Sequence, residues 1–233
     1  MRYTAGSAAT MPAMSDYGNA TEAFGGERVS AQTIFGQVMF LVGVTLAFLA
    51  IGTVIGINEG ISPQTSMILW FVAIGMLFAQ RIPALRTGPA GIAWLFAVGL
   101  VLGIALGPTI DHYRDTNPDA LIQAAGGTAL IVLMMGSWGL ATSKDLAKWV
   151  RPLSMAMFGL FGLSIIGLLF APGINANPIF SIAVIGISAG LILVDFNYVK
   201  KHADEDDVVW LATGIFVSIL NIFLSLLSLL GNR

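Results

Sequence analysis

The run Ile179–Val199, IFSIAVIGISAGLILVDFNYV, is followed by the charged stretch KKHADEDD at 200–207 and by a second apolar run, Val208–Leu230, VVWLATGIFVSILNIFLSLLSLL. Each apolar run matches the roughly 20 residues that an α-helix needs to cross a bilayer. Asp195 is the only acid inside either run. A carboxylate near hydrocarbon costs several kcal/mol unless it is paired, hydrated or protonated, so an intramembrane acid marks a site for which a partner must be found.

Working outward, the whole chain of 233 residues is 56% hydrophobic and 10% charged, with a mean hydropathy of +0.84. That composition is a polytopic membrane protein's and excludes an ordinary soluble domain. The net charge of −2 offers no electrostatic footprint for nucleic acid. With no cysteine, disulfides, thiolate metal sites and cysteine nucleophiles are excluded. Residues 1–31 lack a signal peptide's apolar core and read as a mobile cytoplasmic tail, leaving 32–233 as the membrane domain.

Seven apolar runs are expected to span: Gln32–Ile57, Thr65–Gln80, Pro89–Gly107, Ala120–Ala141, Pro152–Ala171, Ile179–Val199 and Val208–Leu230. Breakers separate them, including Pro108 to Pro118 after the third run. The fold class is therefore all-α, a seven-transmembrane-helix bundle. Seven spans put Arg2, Arg28, Arg81, Arg86, Lys144, Lys148, Arg151, Lys200 and Lys201 on one side, and only Arg114 and Arg233 on the other. This asymmetry puts the N-terminus in the cytoplasm and the C-terminus outside.

Glycines recur every fourth residue at Gly99, Gly103 and Gly107, and Gly186 with Gly190 repeats the spacing, which fits close packing inside a bundle better than a dimer face. Polar residues within the runs, such as Gln37, Thr45, Gln123, Thr128, Ser137, Asn197, Ser218 and Asn221, read as interhelical glue.

Catalytic inventories fail. An aspartyl dyad needs two carboxylates, and only Asp195 is inside a span. Gly136-Ser137-Trp138-Gly139 resembles a nucleophile motif, yet His112 and His202 fall in loops on opposite sides. All four lysines lie in loops, which excludes a buried Schiff base. Asp111-His112-Tyr113-Arg114-Asp115 reads as a solvated loop preceding a helix capped by Asn117 or Asp119, and Asp204–Asp207 as a solvated turn whose acids suit the start of the last helix. No enzyme activity, cofactor or metal is expected.

Gly107-Pro108-Thr109-Ile110-Asp111-His112-Tyr113, Gly126-Gly127-Thr128-Ala129-Leu130, Thr142-Ser143-Lys144-Asp145-Leu146, Leu193-Val194-Asp195 and Asn221-Ile222-Phe223 together resemble the Bax inhibitor-1 (TMBIM) family. The segment Val217–Ser228 is most similar to its bacterial YccA-like branch. The resemblance implies seven helices with one at the centre, in a bacterial inner membrane. It also implies two function classes. One is a non-enzymatic modulator and substrate of the FtsH-type AAA protease and its scaffold proteins, acting in membrane-protein quality control through the N-terminal tail. The other is a pH-sensitive calcium or proton leak, gated by two aspartates that share a proton. Asp195 falls on the first of those positions and Ser218 on the second, so the dyad is broken; a serine at 218 fits the YccA-like branch.

Asp195 lies about 7 Å along its helix from Lys200, and Ser218 about 15 Å from Val208, so the two meet only if one helix is longer than its apolar run. Arg81 and Arg86 are the more available partners. Asp195 is expected either to reach interfacial water or to close the inner end of a cavity by binding one of these arginines, with Ser218 and Asn221 as neighbours.

Overall fold

The computed structural model describes residues 14–170 and 177–231, with side chains described over 32–167 and 177–231. Residues 1–13 of the expected tail lie outside the described residues, so the division at 31/32 remains an expectation. Among the described residues the fold is helical without strands. The helices are α1 (Met14–Asn58), α2 (Pro63–Ala79), α3 (Gly88–Thr116), α4 (Pro118–Ala141), α5 (Val150–Phe170), α6 (Pro178–Lys201) and α7 (Val208–Gly231). Prolines stand in the first turn of α2, α3, α4 and α6, where their missing N–H costs nothing. Side chains of Ser62, Asn117 and Asn177 cap α2, α4 and α6.

Six of these helices are long and apolar enough to cross a membrane. The remaining one, α2, has 17 residues and is about 26 Å long, a little under the hydrocarbon thickness. It runs antiparallel to α3: the Ser66 hydroxyl donates to the Ala105 carbonyl at 2.6 Å, and Trp94 Nε1 donates to the Met76 carbonyl at 2.9 Å. The outside of the bundle is apolar, with Phe40, Ile122, Leu133, Met155 and Ile179 exposed as a lipid-facing surface requires.

Against the expectation of a loop from Pro108 to Pro118, α3 continues through Pro108 to Thr116. A proline inside the helix removes the donor that would satisfy the Ile104 carbonyl. That carbonyl instead faces α1, where a side chain at Gly56 would collide with it. The Asp111–Asp115 stretch is thus the end of a helix, with Arg114 paired to Asp111 at 2.7 Å.

The glycine stripe of α3 packs on α1 backbone to backbone. A Cβ on Gly99 would meet the Thr45 carbonyl, on Gly103 the Leu49 carbonyl, and on Gly107 the backbone of Gly56. The α6 pair does not work this way: Gly186 has open space and Gly190 touches only the Leu153 side chain. Close contact at α6 comes instead from α4, where Gly136 and Gly139 lie against Phe196 and the Leu193 carbonyl. Ser137 and Trp138, between those glycines, are exposed on the lipid-facing side, so the motif serves packing.

Helix α7 packs against α1, α3, α4 and α6 and is the central element. Its Leu211, Ile215, Phe216, Ile222 and Leu227 are fully buried. By contrast α5 packs mainly on α6, and α2 on α3.

Candidate functional site

Where α2 and α5 stand apart, two cavities open against α7. The inner one, about 470 Å³, is lined by Gln80, Arg81 and Arg86 at the end of α2 and just beyond it, by Asp195 of α6, and by Thr213, Gly214, Ser218 and Asn221 of α7. The outer one, about 690 Å³, reaches Pro63, His112 and Ser228 at the opposite end of the bundle. Both are lined by Ile74, Met157, Phe161 and Asn221, so these four residues stand between them. Asn221 Nδ2 lies 3.8 Å from the Met157 sulfur, a weak hydrogen bond across this partition.

Residues Gly214, Ser218, Asn221, Ser225 and Ser228 alternate at spacings of four and three, which places them on one face of α7. All five line one cavity or the other. The other polar residue of α7, Thr213, lines the inner cavity beside this stripe, so polarity on this helix is confined to the side facing the cavities.

Asp195 is 6% exposed. Helix α6 runs on to Lys201, two residues past the expected end of its apolar run. The residue facing the carboxylate is Gly214, where a Cβ would stand 3.3 Å from Asp195 Oδ2. Ser218 lies one turn further along, in the same cavity. The structure thus brings Asp195, Ser218, Asn221, Arg81 and Arg86 to one cavity, but no ion pair joins Asp195 to either arginine among the described residues. Arg81 is held by aromatic rings, its guanidinium 5.6 Å from the centroid of Phe78 and 5.9 Å from that of Phe158. Deeper in the wall, Gln80 Nε2 donates to Thr213 Oγ1 at 3.0 Å, and that hydroxyl donates to the Val209 carbonyl at 2.8 Å.

A second polar cluster forms around Asn197, whose partners the sequence does not reveal. Asn197, fully buried, accepts from the Leu146 N–H at 2.9 Å and donates to the carbonyls of Gly139 at 3.1 Å and Lys144 at 3.2 Å. Lys200 donates to the Leu140 carbonyl at 2.6 Å and caps the end of α4, and Lys201 donates to the Ser143 carbonyl in the loop that follows. His202 Nε2 lies 2.8 Å from Asp145 Oδ2, and Asp145 Oδ1 accepts from the Ala147 N–H at 2.9 Å. The Ala147 N–H, followed by His202, holds the Asp145 carboxyl below its ordinary value of 3.8. Thr45 and Thr128, by contrast, bond back to carbonyls of their own helices, Leu41 and Ala124, and join nothing.

Residues 31–233 match the family described as "Inhibitor of apoptosis-promoting Bax1". The modulator of FtsH protease YccA of Escherichia coli is 30% identical over 87% of this chain and 91% of its own length. An uncharacterised membrane protein of Vibrio cholerae is 27% identical over 82% of this chain and 86% of its own. A protein of Pasteurella multocida is 28% identical over 82% and 86%. With a family match across nearly the whole chain and apolar helices to cross a bilayer, this is a multi-pass membrane protein that belongs to the Bax inhibitor-1 family.

Proposed function

We propose that the chain is a non-enzymatic modulator of an FtsH-type membrane protease, residing in a bacterial inner membrane with seven spans, its N-terminus cytoplasmic and its C-terminus outside. The observation that carries this reading is the end-to-end likeness to the Escherichia coli modulator. The short α2 counts as a span because it runs antiparallel to α3 along its whole length, and because removing it would scatter the basic residues to both sides. The tail, residues 1–31, serves as the handle that an unfolding ATPase grips. Affinity-tagged chain pulled from native membranes is expected to carry the protease and its scaffold proteins. Their absence from the eluate, with the chain folded, contradicts the reading.

A second reading, a calcium or proton leak, is favoured by one feature: the polar stripe of α7 lines two cavities that together reach from Arg86 to His112 and are divided only by the Met157–Asn221 level. In this reading Asp195, with Ser218 and Asn221 beside it and Arg81 and Arg86 at the mouth, controls the inner cavity. Asp195→Asn is then expected to raise ion flux in liposomes at neutral pH, and Ser218→Asp to steepen its pH dependence. Equal, pH-independent fluxes for the wild type and both folded variants remove this reading.

A further inference from the structure

The inner cavity joins a basic mouth to an apolar slot, a combination that the protease-modulator reading does not use. Its mouth carries two guanidinium groups, Arg81 and Arg86, both exposed and without a carboxylate partner among the described residues. Apart from Ser154, its walls on α2 and α5 are apolar, with Leu77, Phe78 and Phe158 continuing into Phe161, which also lines the outer cavity. Helices α2 and α5 belong to opposite sides of the bundle's packing, one on α3 and the other on α6, and meet here through side chains, the Phe78 and Phe158 rings lying 6.0 Å apart. Both rings are about half exposed, so the mouth opens sideways toward the lipid-facing surface.

Size decides what can enter. A transmembrane helix of another protein, about 10 Å across, fills roughly 1,200 Å³ for each 15 Å of its length, more than either cavity holds. A single hydrocarbon chain is far thinner, and the inner cavity falls within the roughly 300–1,000 Å³ of ordinary ligand sites. Charge then decides the headgroup. Two guanidinium groups without a carboxylate partner among the described residues, Arg81 resting on the Phe78 and Phe158 rings, stand beside an apolar slot and match a phosphate diester with an acyl chain attached, because arginine binds phosphate oxygens through paired N–H donors. Asp195 stands in the wall of the same cavity, beside Gly214.

We propose that this cavity is a binding site for one anionic phospholipid, its phosphate on Arg81 and Arg86 and one acyl chain between α2 and α5. The site does not depend on the protease-modulator reading.

The test is native mass spectrometry of the full-length chain in detergent, titrated with phosphatidylglycerol and, separately, phosphatidylethanolamine of the same acyl chains. The wild type is expected to bind phosphatidylglycerol more tightly. Removing both charges in Arg81→Gln/Arg86→Gln weakens that binding about thirtyfold, from the attraction of two basic side chains for anionic lipid, and abolishes the preference. The Arg81→Lys/Arg86→Lys variant, which keeps the charge without the paired donors, binds less tightly than the wild type and more tightly than the glutamine pair, which separates lost charge from lost fold. Ser154→Phe, whose ring fills the cavity from α5, weakens both lipids while leaving the arginines in place. A preference that survives Arg81→Gln/Arg86→Gln overturns the proposal. So does equal competition by glycerophosphoglycerol, which carries the headgroup without acyl chains, since that result makes the site one for free phosphodiesters.

Discussion

The seam between α1 and α3 and the gap between α2 and α5 are opposite solutions to packing in a solvent that supplies no hydrophobic drive. Along the seam, Gly52, Gly56, Gly99, Gly103 and Gly107 let two backbones touch, and there is no room for a methyl group. On the two helices that flank the gap, Gly159 and Gly162 of α5 and Gly75 of α2 face open space. Glycine alone therefore does not signal a tight contact; the fixed spacing of four, opposite a matching pair on another helix, does. The seam is built as a rigid backbone for the bundle, and the gap leaves two cavities beside the central helix.

The largest expected effect breaks the seam. Gly103→Val drives a branched side chain into the Leu49 carbonyl, and an overpacked site of this kind destabilises by about 3 kcal/mol or abolishes folding. The matched change on α5, Gly162→Val, meets open space and is expected to stay within about 0.5 kcal/mol of wild type. Unfolding in mixed micelles measures both. Equal losses would erase the distinction between the two regions.

Next in size is Asn197→Ala. It strands the part-buried Leu146 N–H and the buried Gly139 carbonyl, a loss of about 2 kcal/mol, and it frees the loop 142–146 from α6. Hydrogen exchange at Leu146 is expected to rise sharply while the seam remains protected. Unchanged exchange there would show that Asn197 is not the anchor.

These two cases also mark how far the sequence can be read. The apolar runs, their order and the α3 stripe were legible because length and small-residue spacing are one-dimensional signals. The continuation of α3 through Pro108 was not. A proline reads as a breaker in water, whereas here the freed carbonyl is buried against Gly56 of another helix. Asn197 was legible as interhelical glue, but its partners were not, since backbone carbonyls leave no mark in a sequence. Asp195 announced itself, yet its facing residue is Gly214, and the arginines share its cavity without pairing to it. A cavity is a place where side chains do not meet, and no residue pattern encodes that directly.

The smallest effect concerns pH at the inner end. The folded Asp145 carboxyl is held below its ordinary value of 3.8, so its contribution is complete above that value and is lost as pH falls through the lowered one. Asp145→Asn is therefore expected to loosen the loop 142–146 slightly at neutral pH and to match wild type in strong acid, with hydrogen exchange as the measure. A difference confined to acid would reverse the sign.

The central claim is that this bundle modulates a membrane protease. Its most direct measurement is the rate at which a purified FtsH-type protease degrades a separate membrane substrate in proteoliposomes, with and without the full-length chain. The account predicts that adding the chain slows degradation in proportion to its amount, and that deleting Ala5–Ala20 weakens the effect and lengthens the chain's own lifetime. A substrate degradation rate indifferent to the folded, correctly inserted chain would contradict it.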